Sequence, residues 1–292
     1  MTGDRHRRRG AQGRGCGLLR LAAICGVGIL AGLAAAAGTG AFSSSSSRVV
    51  AAAPATGAGK AAPARTTTAA RTTETVPRLP PIRPARPGTA EVISRGPTAG
   101  GKVALTFDDG FCPACVARLV RVLERTGAHA TFFPNGRYQD SWGPQAKRIR
   151  RLIALGQLVV GNHTFSHGDA KTQSPDVFGA DLQRNEQWIQ HTFHVSGRPW
   201  VRPPYGSYND GTLSAAGQLG YTKVILWSGT LADSSPQTVP YLLNAVHYWA
   251  KPGVIMLMHG NYPNTAKALP RILRILKHKH LRPVTIAELL HG

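Results

Sequence analysis

From residue 102 onward, short apolar runs alternate with amphipathic stretches that are long enough for helices. The apolar runs that we predict as strands are 103–107, 130–133, 158–160, 200–202, 223–227, 254–258 and 283–286. The predicted helices between them are 113–126, 141–155, 176–194, 209–219, 238–250 and 265–279. Strands that alternate with helices in this way form parallel β/α units, which either close into a barrel or remain an open sheet.

The N-terminal part of the chain has a different composition. Five Arg within the first 14 residues precede an apolar run over 21–37, and small residues follow it. This order is typical of an export signal, and the length of the run also allows an uncleaved anchor. We expect 1–42 to be a signal peptide or signal anchor, 43–89 a disordered linker rich in Ala, Thr, Pro and Arg, and 90–292 the folded domain. Either outcome places the domain outside the cytoplasmic membrane.

Basic residues are in excess in both parts of the chain. Residues 1–100 contain 14 Lys and Arg against three acids, and the remainder contains 21 against 11. This charge suits an anionic cell envelope as a partner. Nucleic acid is not expected, because no nucleic-acid-binding motif accompanies the charge. We expect a monomer.

Polar side chains stand where the predicted strands end or in the loops just beyond. They are Asp108, Asp109, His163, His167, Arg202, Asp233 and His259. In a parallel barrel the C-terminal ends of the strands meet at one rim, where the loops converge. The pattern therefore predicts that carboxylates, imidazoles and a guanidinium lie together at that rim.

This residue set is suited to metal chemistry. His163 and His167 are spaced by four, which would put them on one face if the segment were helical. Two neutral imidazoles and one carboxylate form a catalytic set for zinc that leaves a position open for water. Of the adjacent Asp108 and Asp109, one can bind the metal while the other takes a proton from the water, and the cation and Arg202 would neutralise the pair.

Four motifs, taken together, identify a family. The sequences TFDDG at 106–110, HTFSH at 163–167, RPPYG at 202–206 and LMH at 257–259 resemble, in order, the motifs of the polysaccharide deacetylase (NodB-homology) family. The similarity spans about residues 90–290, and the joint match is specific although each motif alone is not. The resemblance implies an α/β fold, a distorted and incomplete (β/α) barrel of about seven parallel strands.

The resemblance also implies site roles. Asp109, His163 and His167 would bind a divalent metal, for which zinc is the best match. Asp108 would be the general base, and Arg202 would orient it.

Further roles follow for residues around the substrate. The Tyr205 backbone N–H would help to hold the oxyanion, while Leu257 and Trp227 would line the substrate site. His259 would be the general acid that protonates the leaving amine, with Asp233 tuning it.

The sequence departs from the family pattern after Trp227. The family usually has an Asp, two variable residues and then Asp-Trp, whereas this chain has Thr230 and Ser234 at the first and last of these positions. Asp233 is retained. The departure bears on substrate shape more than on the metal set.

A second departure is the Gly110-Phe-Cys-Pro-Ala-Cys115 sequence, since Pro more often follows the Gly in the family. Its first cysteine, Cys112, stands near the start of the first helix. Three interpretations remain open. The cysteines form a short disulfide that braces the loop, they stay reduced, or they act as a redox pair whose thiol pKa the helix lowers.

The expected function is metal-dependent hydrolysis of N-acetyl groups on an extracellular or cell-wall glycan, such as peptidoglycan or a chitin-like polymer. The alternatives are an O-acetyl esterase, an inactive carbohydrate-binding module and, more remotely, a thiol oxidoreductase. An inactive module would be expected to lack a ligand or the base, and this chain has all of them.

Overall fold

The structure, a computed structural model, describes residues 88–291. The predicted signal segment (1–42) lies outside the described residues, as does the predicted linker (43–89) apart from residues 88 and 89. Ala90 is already buried, and its backbone N–H donates to the carbonyl of Leu213. Within residues 88–291, no helix is both long and apolar enough to cross a membrane.

Parallel strands form two sheets in the described part of the chain. The strands are β1 (Glu91–Ile93), β2 (Lys102–Asp109), β3 (Ala130–Pro134), β4 (Leu158–Val160), β5 (Trp200–Val201), β6 (Lys223–Ile225), β7 (Gly229–Thr230), β8 (Ile255–His259) and β9 (Arg282–Val284). One sheet has the order β1-β6-β5, and the other has the order β4-β3-β2-β8-β7 with β9 paired to β2. A single parallel bridge between Asn162 and Val201 joins the two sheets.

These sheets and their outer helices confirm the α/β class, and the expected incomplete barrel agrees with the two-sheet arrangement. Residues 88–291 contain nine strands rather than about seven. The extra β1 and β7 have only three and two residues, which is too short for a hydrophobic pattern to reveal. The edge strands β1 and β7 form no ladder with each other in the described residues, so the barrel does not close there.

Helices connect the strands and cover the sheets. They are α1 (Pro113–Thr126), α2 (Gln139–Trp142), α3 (Ala146–Ala154), α4 (Pro175–Phe193), α5 (Asp210–Gln218), α6 (Val239–Trp249), α7 (Pro263–His278) and α8 (Ile286–His291). Local sequence sets their starts, because Ser174, Asn209 and Thr238 each accept the N–H three residues on. Proline in the first turn of several helices costs no hydrogen bond there.

Two sequence predictions were wrong in detail. The helix predicted over 141–155 is broken into α2, a 3₁₀ turn at Gly143–Gln145 and α3, because Pro144 has no N–H to donate. The strand predicted over 283–286 ends at Val284. There, Thr285 and Glu288 cap α8 reciprocally, each side chain accepting the other's backbone N–H.

Strand β2 occupies the middle of the larger sheet and positions the polar rim. It is buried from Val103 to Asp109 and pairs with β3 on one side and β8 on the other. Helices α1, α6 and α7 pack outside it through the largest apolar cluster. The two aspartates at its C-terminal end therefore emerge in the centre of the rim.

Candidate active site

The chain turns sharply where β2 ends, which separates the two aspartates. Asp109 has a φ of 65° and Gly110 a φ of 102°. A Cβ on Gly110 would lie 2.4 Å from Nε1 of Trp142, so only glycine fits this close approach. The same indole N–H donates to the Asp109 carbonyl at 2.8 Å.

Asp109, His163 and His167 come together as predicted ligands, with ligand atoms within 4.8 Å of one another. Oδ1 of Asp109 lies 3.3 Å from Nε2 of His163 and 3.1 Å from Nε2 of His167. The segment between the histidines is not helical. Thr164 and His167 adopt left-handed conformations with φ of 61° and 62°, and this turn, rather than a helix face, brings the rings together.

The neighbouring loops hold the first histidine in one orientation. Nδ1 of His163 donates to the carbonyl of Arg202 at 2.6 Å, since a carbonyl only accepts. Nε2 is therefore the nitrogen that remains for a metal. Asn135 fixes the loop by donating to the carbonyls of His163 and Thr164 at 2.6 and 2.9 Å.

This donor set fits a divalent cation. Oδ1 of Asp109 is buried and makes no well-formed hydrogen bond, although two imidazole nitrogens converge on it. Burial raises the pKa of Asp109, but His163 and His167 together lower it more and hold it well below its usual range. A carboxylate that stays ionised beside two imidazoles suits zinc or a similar first-row ion.

Asp108 is tied to a buried guanidinium. Nη1 of Arg202 donates to Oδ1 of Asp108 at 2.7 Å and to Thr106 at 2.8 Å, and its Nε donates to the carbonyl of Ile225. Burial lowers the pKa of Arg202, and the charge of Asp108 opposes that shift. Oδ2 of Asp108, the oxygen that Arg202 leaves free, lies 3.8 Å from Nε2 of His163.

His259 forms a second charged pair at the end of β8. Its Nδ1 lies 2.8 Å from Oδ1 of Asp233, and its backbone N–H donates to Oδ2 at 3.1 Å. Thr265 also donates to Oδ2, at 2.7 Å. Burial lowers the pKa of His259, but Asp233 raises it more, and with smaller contributions from Asp108 and Asp109 the pKa reaches about 9.

These groups line one cleft of about 470 Å³. Of the predicted site residues, the ones that line it are Asp108, Asp109, His163, His167, Tyr205, Trp227, Leu257 and His259. The buried Arg202 and Asp233 lie behind its wall. A larger groove of about 530 Å³, between the ends of α1 and α7, contains none of the predicted site residues. The smaller cleft is therefore the candidate active site, because the predicted reactive side chains line it.

The supporting residues lie at this cleft as well. Tyr205 has a φ of 62° and sets its ring 4.8 Å from that of His167. Leu257 is two residues before His259 on β8, so both side chains point to the same face. Thr230 and Ser234, where the sequence departs from the family pattern, line the wall next to Trp227.

Sequence reasoning missed Asn261. Its Nδ2 donates to Oδ2 of Asp109 at 2.7 Å, while its Oδ1 accepts the N–H groups of Gly110 and Phe111 at 3.1 and 3.3 Å. The position has the same signal as the other site residues, a polar side chain just after a buried strand.

The structure pairs Cys112 and Cys115 in a disulfide. Cys112 is the N-cap of α1, and its sulfur accepts the backbone N–H of Cys115 at 3.2 Å, with Pro113 in the first turn. Of the three interpretations, this arrangement is the brace on the loop that follows Asp109.

Comparisons with known proteins agree with this geometry. The family model described as polysaccharide deacetylase matches residues 95–224, so Asp233, Leu257 and His259 lie beyond the matched range. A peptidoglycan-N-acetylglucosamine deacetylase of Bacillus cereus is 32% identical over 196 residues, which cover 64% of this chain and 87% of the relative. A chitooligosaccharide deacetylase of Rhizobium leguminosarum is 31% identical, with 54% and 68% covered.

A solved structure is also similar. A CE4 family pseudoenzyme from Bacillus anthracis superposes with a TM-score of 0.60 at 27% identity, covering 70% of this chain and 69% of that one. Sequence, fold and the rim of acids and imidazoles thus agree, and the chain belongs to the polysaccharide deacetylase family.

Proposed function

We propose that this protein is a divalent-metal-dependent hydrolase that removes N-acetyl groups from a cell-wall or chitin-like glycan. The observation that carries the proposal is that Asp108 and His259, a base and an acid, line the same cleft as the three-residue metal set. Relatives named as peptidoglycan and chitooligosaccharide deacetylases support this substrate class.

Two side chains, Asp108 and His259, each carry out one of the proton transfers. Asp108 accepts the proton of the attacking water through Oδ2, because Arg202 occupies Oδ1. His259 carries a proton for the leaving amine, and Asp233 on Nδ1 leaves Nε2 to deliver it. An amine leaves poorly without a proton, so amide hydrolysis depends on both groups.

Asp109, His163 and His167 would hold the cation. When bound, it supplies a Lewis acid that polarises the acetyl carbonyl and makes a water more acidic. Zinc is the metal that this donor set suits best. Leu257 would contact the acetyl methyl group, and the backbone N–H of Tyr205 would stabilise the developing oxyanion.

The remaining parts of the proposal come from the sequence. We propose that residues 1–42 export the chain or anchor it, that 43–89 tether the domain, and that a monomer acts on acetylated glycan outside the cytoplasmic membrane. The basic surface suits an anionic envelope. Fractionation of the producing cells and the mass of the mature protein would distinguish cleavage from anchoring.

The test is to incubate the purified protein with N-acetylated and O-acetylated glycans and to quantify acetate and free amine. We expect equal amounts of both products from the N-acetylated glycan, loss of activity on chelation and recovery with zinc. Asp108→Asn should slow release by a factor of about 10²–10⁴, while Asp169→Asn, an acid outside the cleft, serves as the control. Acetate without amine would make the protein an esterase, and full activity without metal would refute the metal requirement.

A further inference from the structure

Three aromatic rings form a cluster on the rim beside the cleft, which we call the aromatic shelf (Phe111, Tyr138 and Tyr262). The ring centroid of Phe111 lies 6.0 Å from that of Tyr138 and 5.4 Å from that of Tyr262. Phe111 nevertheless keeps 43% of its surface exposed. One exposed aromatic side chain is ordinary, but an exposed ring that rests on two half-buried rings beside an active-site cleft indicates a binding surface.

The shelf is fixed to the catalytic site. Its three residues lie in the loops that follow β2, β3 and β8, which are adjacent strands. Asn261 accepts the backbone N–H of Phe111 while it donates to Asp109, so one amide aligns the shelf and the metal ligand. The Cys112–Cys115 disulfide holds the next turn of the same loop. A surface held from both sides is preorganised for a ligand.

A second aromatic surface borders the cleft from the other sheet. Tyr205 follows β5 and Trp227 follows β6, both strands of the three-stranded sheet, and both residues line the cleft. Tyr205 is 67% exposed. The reacting groups therefore lie between aromatic rings on two sides, so a chain that crosses the cleft meets a ring on each side of the acetyl group.

The chemistry of the shelf suits a sugar ring. A pyranose has an apolar C–H face that packs on an aromatic face, and hydroxyl groups around its edge. Phe111 offers the apolar face. Tyr138 offers a phenol that stays protonated, because burial and the nearby charge of Asp109 raise its pKa although Arg137 lowers it. A phenol beside an apolar ring can form hydrogen bonds with the hydroxyl groups of a sugar.

We propose that the aromatic shelf binds the sugar residue next to the one that is deacetylated, so that the enzyme prefers glycan chains to short fragments. This inference rests on the proposed function and adds a subsite to it. Phe111 stands just after the Gly110 of the TFDDG motif, where Pro is more usual in the family, so the exposed ring is a departure from the family pattern.

The test compares an N-acetylglucosamine tetramer with the monomer, which has no neighbouring sugar, using the metal-loaded full chain. Packing a sugar on the exposed part of Phe111 should contribute about 1 kcal/mol, roughly half the value for complete burial of a Phe side chain. We therefore expect Phe111→Ala to lower the tetramer-to-monomer ratio of kcat/KM about fivefold, mainly through KM for the tetramer. Phe111→Trp, which keeps an aromatic face, should retain the ratio.

A matched control is Tyr248→Ala. Tyr248 is also an exposed aromatic residue, but it lies in the last turn of α6, at the opposite end of the domain from the rim. Its removal should leave the ratio unchanged. Titration calorimetry on the chelated protein gives a readout that is independent of turnover, and Phe111→Ala should weaken tetramer binding there by the same factor.

Two results would separate the inference from the proposed function. If the wild type releases acetate but Phe111→Ala reduces activity on monomer and tetramer equally, the shelf is not a subsite and the deacetylase proposal stands. If no glycan is hydrolysed, the deacetylase proposal fails, and calorimetry then tests whether the aromatic shelf binds a sugar. Equal affinity for monomer and tetramer in the wild type would then overturn the shelf proposal.

Discussion

Asp108 on β2 and His259 on β8 are register partners in a parallel pair, so a carboxylate and an imidazole stand side by side at the same sheet edge. Each has its own buried partner, Arg202 for the carboxylate and Asp233 for the imidazole. The two pairs set a carboxylate and an imidazole a strand's width apart, each fixed by an oppositely charged partner. Acid–base hydrolysis needs two such groups with separate roles in one site.

The first prediction concerns the division of labour between the adjacent aspartates. Asp108→Asn should lower kcat by a factor of about 10²–10⁴, the scale for a general base, with little change in metal content. Asp109→Asn should instead lower metal occupancy, because its carboxylate is part of the ligand set. Metal analysis alongside acetate release distinguishes them. If Asp108→Asn lost the metal and Asp109→Asn kept it, the roles would be reversed.

The second prediction concerns the pH dependence of His259. Asp233 stabilises the imidazolium, so its pKa lies above the usual value, at about 9, and the acid form persists into alkaline solution. Asp233→Asn should shift the alkaline limb of the pH–rate profile downward. A cation next to Asp109 opposes the contributions of the two aspartates, so the limb of the loaded enzyme should lie below 9.

The stability of the fold should also depend on the protonation of His259. Because the folded pKa exceeds the unfolded one, the pair stabilises the fold fully below about 6.5, and this stability is lost as pH rises through about 9. Denaturant titrations of the metal-free protein at several pH values between about 6.5 and 9 would measure this loss of stability. If the free energy of unfolding changes with pH at the same slope in wild type and Asp233→Asn, the His259–Asp233 pair is not the cause of that pH dependence.

The third prediction concerns Asn261. Its hydrogen bond to Oδ2 of Asp109 orients the carboxylate, and loss of such a partner to a metal ligand lowers metal affinity about 10–100-fold. Asn261→Ala should therefore require more zinc for half-maximal activity and show weaker zinc binding by competition with a chelating dye. Asn264→Ala, which removes a hydrogen bond to the Gln237 carbonyl, is the matched control. Equal zinc affinities in both variants would contradict the assignment.

The fourth prediction concerns the disulfide. Thiol labelling of denatured, unreduced protein should leave Cys112 and Cys115 unmodified. The double Ser variant should remain a deacetylase, and its free energy of unfolding should fall by about 2 kcal/mol or less, since the closed loop is short. Loss of turnover with unchanged metal content and stability would instead favour the redox interpretation.

Much of the fold and the site could be predicted from sequence because parallel strands share one functional edge. Alternating strand and helix patterns indicated β/α units, and the polar residues after the strands indicated which loops converge. His163, Asp109 and Asp108 are brought together by this rule alone. Local sequence also determines most helix starts, because capping side chains such as Ser174 and Thr238 accept a backbone N–H in the first turn of their own helix.

Other features depended on contacts between distant segments. The sequence alone determined the strand–helix alternation, the residues of the rim and the chemistry they can support, because these follow from local periodicity and residue type. Only the tertiary structure decided that a left-handed turn, not a helix, apposes His163 and His167, and that Asn261 aligns Asp109 from 152 positions away. Such pairings are set by packing across the barrel, and packing depends on three-dimensional neighbours that no local pattern encodes.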